Sequence, residues 1–306
     1  MRNRATAMFA VLALIWGSNF VWMKWATALV TPGQVTLLRV LFGFVPVAGF
    51  ALARGAFDRS HLRHVHHFLV MSVLATSFYY FAYASGASLL PSGIAGALSG
   101  SIPLFTFLGA ALVLRDERPT WLGVCGIVTG FAGVLLVARP WDTTGGVDPV
   151  GVVWMTLGSA SVGLSFVYAR RFLSHLEIAP SALTAYQMGL ALVVLLVVVD
   201  LDGITDLADS PRAAWGLAVG LGLLGTGIAY ILYYVIVEQL GAVTASSATY
   251  LPPVVALVIG AVLLGEEIIA LDLAAVALIL AGVLVLRRAQ IVAARRRLAR
   301  VAEEGA

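Results

Sequence analysis

Continuous apolar runs, each about 20 residues long and ended by a short breaker segment, fill almost the whole chain. A helix of that length crosses about 30 Å of hydrocarbon. The spans read as roughly 6–29, 32–53, 67–88, 92–114, 119–138, 150–172, 181–200, 212–238, 241–264 and 269–287. Between them stand Pro32-Gly33, Pro91-Ser92-Gly93, Arg118-Pro119, Thr143-Thr144-Gly145-Gly146, Pro180, Ser210-Pro211 and Gly241. The runs lack the in-out alternation of barrel strands, so the prediction is helical. Helices three and four, and eight and nine, are joined so tightly that each pair must be an antiparallel hairpin.

The pattern also repeats. Residues 76–117 match 226–267 at a constant spacing of 150, which sets Tyr80 on Tyr230, Tyr83 on Tyr233, Pro103 on Pro253 and Glu117 on Glu267. Gly17-Ser18-Asn19-Phe20-Val21 matches Gly163-Leu164-Ser165-Phe166-Val167 at a spacing of 146. The chain is therefore two copies of one module. Five spans per copy is an odd number, so the second copy must sit upside down relative to the first. The expected fold is an all-α integral membrane protein with ten transmembrane helices in two inverted five-helix repeats around a central cavity. The units are residues 1–145 and 146–287, followed by a basic tail at 288–306.

Composition agrees with this picture. Mean hydropathy is +0.97, and 60% of residues are hydrophobic against 11% charged, which excludes an ordinary globular domain. Charge placement sets orientation. With the N-terminus in the cytoplasm, 15 of the 19 Lys and Arg fall on inner segments, while the loop bearing Asp200, Asp202, Asp206 and Asp209 is acidic and outside. Both termini are thus expected in the cytoplasm of a bacterial inner-membrane protein. Met1-Arg2-Asn3-Arg4 ahead of an apolar run, with Ala26-Thr27-Ala28 after it, has the form of a signal peptide. Asn19 and Lys24 interrupt that run, and it has a partner in the second repeat, so it is assigned to the fold. The tail from Arg287 is expected to rest on anionic lipid, with no nucleic-acid role. Cys125, the lone cysteine, is read as a packing residue.

Ile15-Trp16-Gly17-Ser18-Asn19-Phe20-Val21 with Lys24, followed by Pro32 and Arg39, resembles the opening of the EamA family of the drug/metabolite transporter superfamily. The likeness continues through Pro103, Arg115-Asp116-Glu117-Arg118-Pro119 and Ala132-Gly133-Val134-Leu135-Leu136. It returns in Pro253, Gly265-Glu266-Glu267 and Ala281-Gly282-Val283-Leu284. The resemblance implies an inner-membrane exporter of small metabolites. It extends to the YddG-like subgroup, which implies aromatic and neutral amino acids as cargo.

The spans are read as free of interior Asp, Glu and His. The five histidines (61, 64, 66, 67 and 175) are assigned to inner loops, and Glu238 to the outer end of helix eight. Proton-coupled carriers generally need a titratable group inside the membrane, so facilitated diffusion or exchange is expected. Neutral or zwitterionic solutes fit a compartment without carboxylates better than cations do. Trp16 and Asn19 share one helical face, with Ser165 equivalent to Asn19. These read either as a substrate wall or as interhelical polar glue. Tyr80, Tyr83, Tyr230 and Tyr233, with Tyr79 and Tyr234 beside them, read as a ring set for an aromatic solute or as an interfacial belt. Ser99 and Thr249 each precede a matched proline by four residues, and Pro103 and Pro253 mark either hinges or static kinks. Arg39 and Lys24 are the spans' charges, available to a substrate carboxylate or to helix-end carbonyls, and the alternative for Lys24 is to snorkel to the outer interface. The turns at Glu117 and Glu267 are expected on the inner side, bridging to arginines.

No metal site or cofactor is expected. An embedded enzyme would need an HExxH, an acidic metal cluster or a buried Ser/His pair, none of which is read here. A scaffold would need a partner-binding domain that the short loops do not supply. The alternatives within transport are a proton-coupled drug/metabolite exporter and a carrier of phosphate esters or nucleotide sugars. The expected partners are a small solute and the bilayer, for a monomer or weak homodimer.

Overall fold

Proline opens five of the helices, and hydroxyl or carboxylate side chains cap several, which fixes where those apolar runs start. Pro32, Pro149, Pro180, Pro211 and Pro252 all sit in first turns. Thr31 forms a capping box with Gln34, Asp148 accepts from the Val150 amide, and Ser210 accepts from the Ala213 amide. Asp58 caps the third helix by accepting from the Ser60 amide at 2.7 Å. Hydrogen bonding from Ser60 holds the Asp58 carboxyl below the usual carboxylate range.

The computed structural model describes residues 2–114, 120–139, 141, 147–240 and 251–304. Among the described residues it is helical throughout, without strands. The elements are α1 Arg2–Thr27, α2 Pro32–Ala53, α3 Arg59–Leu89, α4 Ser92–Val113 and α5 Trp121–Ala138. The second half holds α6 Pro149–Leu173, α7 Pro180–Val198, α8 Pro211–Gln239, α9 Pro252–Leu264 and α10 Ala270–Glu304. By length and composition, α2 to α8 and the Ala270–Ala289 part of α10 make 8 candidate membrane spans, and α9 is a shorter apolar helix. The outer surface suits lipid: Leu112, Trp121, Val197 and Val262 are 79%, 81%, 80% and 76% exposed.

Contacts between helix ends establish direction. Lys24, near the end of α1, donates to the Leu90 carbonyl at the end of α3. It also lies 3.9 Å from Glu266, just past α9. Glu266 in turn accepts from the amides of Ser92 and Gly93 at the start of α4. Gln34, at the start of α2, donates to the carbonyls of Asp200 and Asp202 beyond α7. Arg139, at the end of α5, pairs with Asp272 in the first turn of α10. Arg212, at the start of α8, stacks on Trp25. Odd helices thus end, and even helices begin, on one face. On the opposite face Arg54 pairs with Glu238, His67 meets Tyr168 and His61 meets Tyr186. Helices α1 and α6, or α2 and α7, therefore run in opposite directions, and the second copy is inverted.

Packing repeats across the copies. α2 packs on α8 as α7 packs on α3; α3 packs on α6 as α8 packs on α1; α4 packs on α6 as α9 packs on α1. Two glycines make this concrete. A Cβ on Gly17 would overlap Val255 of α9, and one on Gly163 would crowd Phe105 of α4. Val255 and Phe105 are themselves 150 apart, so the same close approach is built twice.

Four placements depart from the sequence reading. The Glu266-Glu267 turn lies on the Lys24 face, away from the face where α2 and α4 end, and its ion pair joins Glu266 to a lysine. An odd number of spans per copy forces the two acidic turns to opposite sides; Glu117 lies outside the described residues. Glu238 belongs to the face of Arg54 and the histidines, because α8 is an even helix. Asp272 is a carboxylate inside the last span, 6% exposed, and His67 opens the third. Asp272 is held by Arg139 and by the Ile269 amide at one end of the bundle.

Candidate functional site

A π-turn precedes each matched tyrosine group. Residues Val73–Ser77 widen α3 just before Tyr79, and Gly216–Ile228 widen α8 just before Tyr230. In each, a hydroxyl closes the wide turn onto a carbonyl five residues back, Ser77 onto Ser72 and Thr226 onto Leu221. Such insertions rotate the following residues relative to an α-helix and cluster at functional positions. They aim the tyrosines into the space between the copies.

There the rings form one connected set. Trp16 packs on Tyr233 at 6.0 Å between centroids, Tyr233 on Tyr234 at 6.4 Å, and Tyr234 on Tyr230 at 6.1 Å. Tyr230 packs into the buried cluster that holds Tyr80. Tyr80 meets Tyr79 at 4.8 Å, Tyr79 meets Tyr83 at 4.6 Å, and Tyr83 meets Phe20 at 6.1 Å. All six tyrosines singled out by the repeat thus converge with Trp16. Two hydroxyls are tied back, Tyr83 to Ser159 at 2.9 Å and Tyr234 to Thr184. Tyr79 packs on the two largest cores yet is only half-buried.

Arg39 supplies the charge. It is 5% exposed, its guanidinium lies 3.7 Å above the Tyr80 ring, and its Nε donates to Thr226 Oγ1 at 2.9 Å. Among the described residues no carboxylate lies within ion-pair distance of it. Cation–π contact recovers about 0.5–2 kcal/mol, less than burying an unpaired charge costs. A carboxylate arriving beside Tyr80 would meet a cation already stripped of water and held in place.

The other sequence candidates separate. Asn19 is buried, donating to the Gly225 carbonyl at 3.4 Å, while its Oδ1 has no partner among the described residues. Ser165 turns its hydroxyl onto Val162 of its own helix, and no hydrogen bond joins it to Asn19. Ser99 likewise bonds Gly96. Thr249 lies outside the described residues. Pro103 opens the second segment of α4, Ile102–Val113, after a break at Gly100-Ser101, and Pro253 stands in the first turn of α9. Lys24 and Arg39, paired in the sequence reading, have different surroundings: Lys24 sits at the end of the bundle, its side chain 36% exposed. Sequence reasoning missed Ser159, Thr184 and Thr226. Thr226 carried a signal as the lone Ser or Thr of α8, whereas Ser159 and Thr184 share their helices with other hydroxyls.

An inverted-repeat helical bundle with a polar, aromatic centre is the architecture of a membrane carrier. The model of the EamA-like transporter family matches residues 4–139 and again 149–288. The chain belongs to that family, and so to the drug/metabolite transporters. It is 27% identical over 270 residues to the uncharacterized inner membrane transporter YedA of Escherichia coli (strain K12), covering 86% of this chain and 83% of the relative. An uncharacterized transporter of Archaeoglobus fulgidus is 24% identical, covering 92% and 98%. A probable terminal-alkyne amino-acid exporter of Streptantibioticus cattleyicolor is 31% identical over 203 residues, covering 65% of each chain. One solved crystal structure of a protein at 22% identity has a TM-score of 0.59, covering 96% of this chain and 99% of that one, and shares the fold. The chain is a multi-pass inner-membrane transporter.

Proposed function

We propose that the chain exports small zwitterionic or neutral amino acids, aromatic ones above all, by alternating access between the two copies. The observation that carries this is Arg39: a buried cation without a carboxylate partner among the described residues, set among tyrosine rings. The guanidinium takes the solute's carboxylate, the rings enclose its side chain, and the Asn19 Oδ1 accepts from its ammonium. Similarity to a probable amino-acid exporter supports the same substrate class. Both termini stand in the cytoplasm in this reading, because most Arg lies on that side. The break before Pro103 serves as a hinge, with Pro253 as its counterpart in the second copy.

Transport is facilitated diffusion or exchange. The buried carboxylate Asp272 is engaged by Arg139 at one end of the bundle, away from the rings. Counterflow of labelled L-phenylalanine into proteoliposomes tests the proposal, alongside matched anionic and cationic solutes. Saturable phenylalanine flux that is insensitive to a pH gradient is expected. Flux restricted to phosphate esters, or uphill accumulation driven by the gradient, would overturn it.

A further inference from the structure

At the Lys24 face a cavity of about 520 Å³ opens among the end of α1, the turn at Pro91, the start of α8 and the end of α9. That volume lies within the range of small-molecule sites. Lys24, Trp25, Pro91, Arg212, Leu264 and Glu266 line it. One turn of α1 further in, Phe20 is buried against Tyr83, so the mouth is set apart from the tyrosines.

The charges there are unevenly committed. Both Glu266 oxygens are taken, one by the Ser92 amide at 2.6 Å, the other by the Ser92 hydroxyl and the Gly93 amide at 2.9 Å each. Lys24 uses one N–H on the Leu90 carbonyl at 2.7 Å, and its 3.9 Å approach to Glu266 is too long for a hydrogen bond. Arg212 is exposed, with its guanidinium 3.5 Å above the Trp25 ring. Among the described residues no carboxylate is within ion-pair distance of it. Two cations face one carboxylate that already accepts three hydrogen bonds, which leaves unfilled donors beside an indole and two apolar side chains.

We propose that this mouth is a second binding site, distinct from the centre, for the carboxylate of a small solute with an aromatic or apolar body. The carboxylate bridges Lys24 and Arg212, and its body lies along Trp25 and Leu264. Three of the four acceptor positions of Glu266 are filled and two cations outnumber its single charge, so the site favours the acid end of a ligand.

The test is a fluorine NMR titration of the full chain in uncharged detergent with 4-fluorophenylacetate. It is run in the native chain and in an Arg39→Gln background that removes the central cation. Saturable binding is expected in both. Arg212→Gln and Lys24→Gln should each weaken it by about tenfold, while Arg212→Lys keeps most of it. Lys24→Gln retains a donor for the Leu90 carbonyl, which guards against simple unfolding. Unchanged affinity in both glutamine variants, or equal binding of the uncharged 4-fluorophenylacetamide, overturns the proposal. In nanodiscs, binding should survive replacement of phosphatidylcholine by phosphatidylglycerol. If it does not, the mouth is a lipid-headgroup site and the soluble carboxylate is the wrong ligand. The readout is binding alone, so its failure is separate from any failure of transport.

Discussion

Seven residues after the proline that opens α2 stands Arg39, and seven after the proline that opens α7 stands Gln187. Both are buried, 5% and 4% exposed, on helices that pack against the widened turn of the opposite copy. One copy thus carries a fixed positive charge at this position and the other a shorter, neutral amide. Elsewhere the copies agree: Tyr80 with Tyr230, Gly17 with Gly163, and the hydroxyl-closed turns before the tyrosines. The shared residues shape the space between the halves. The unmatched ones set its polarity and give a symmetric cavity one end for acid and another for side chain.

The largest effect should come from breaking that asymmetry. Arg39→Gln makes the two positions alike and removes the ionic partner assigned to a solute carboxylate at the centre. Truncating one partner of a buried charge pair costs about 2–5 kcal/mol. Phenylalanine counterflow should therefore fall on the order of 100-fold in kcat/KM, while Gln187→Ala stays within about threefold. Equal losses in both variants would make Arg39 a strut between α2 and α8 and nothing more.

A smaller effect tests what the copies share. Gly17→Val and Gly163→Val each force a side chain into the opposite copy, where overpacking costs about 1–3 kcal/mol. Thermal unfolding of the purified chain should show comparable losses for both. Gly49→Val is the control, since a Cβ there meets nothing within 4 Å. A loss at only one glycine would mean the two crossings are not equivalent.

Those glycines mark how much was legible beforehand. Spacings of 150 and 146 in the sequence located the tyrosines, the prolines and the inversion, because repetition leaves its trace residue by residue. The π-turns left none: Val73–Ser77 and Gly216–Ile228 read as ordinary apolar helix, since a hydrogen bond to the fifth residue back requires no special side chain. Charge was harder still. Lys24 and Arg39 look alike as single cations in apolar runs, and only tertiary packing separates a buried guanidinium over Tyr80 from an ammonium at the rim. Asp272 lay in plain view, but its burial depends on Arg139 from another helix.

The ring set offers a third test. Tyr83 bonds Ser159 of the other copy, and the repeat-equivalent Tyr233 packs on Trp16 of the opposite copy. A double-mutant cycle of Tyr83→Phe and Ser159→Ala should give a coupling of about 0.5–1.5 kcal/mol in thermal stability. Tyr233→Phe should change stability less than Tyr83→Phe does. No coupling would mean that the hydroxyl bond does not hold the halves together.

The smallest effect concerns the pair matched at a spacing of 146. Ser165 satisfies its hydroxyl on Val162 within α6, so Ser165→Ala removes a bond and its only obligation together. Stability and flux should both stay within about 0.5 kcal/mol of the native chain. Asn19 reaches across to Gly225 and leaves a buried acceptor open, so its truncation removes a contact between copies as well as a polar atom at the centre. Asn19→Ala should raise KM for phenylalanine more than it lowers kcat, the signature of lost binding rather than slowed rearrangement. If Ser165→Ala instead matches Asn19→Ala in KM, both residues face the solute. The centre would then be more symmetric than Arg39 and Gln187 imply, and the acid-to-side-chain polarity would rest on the guanidinium alone.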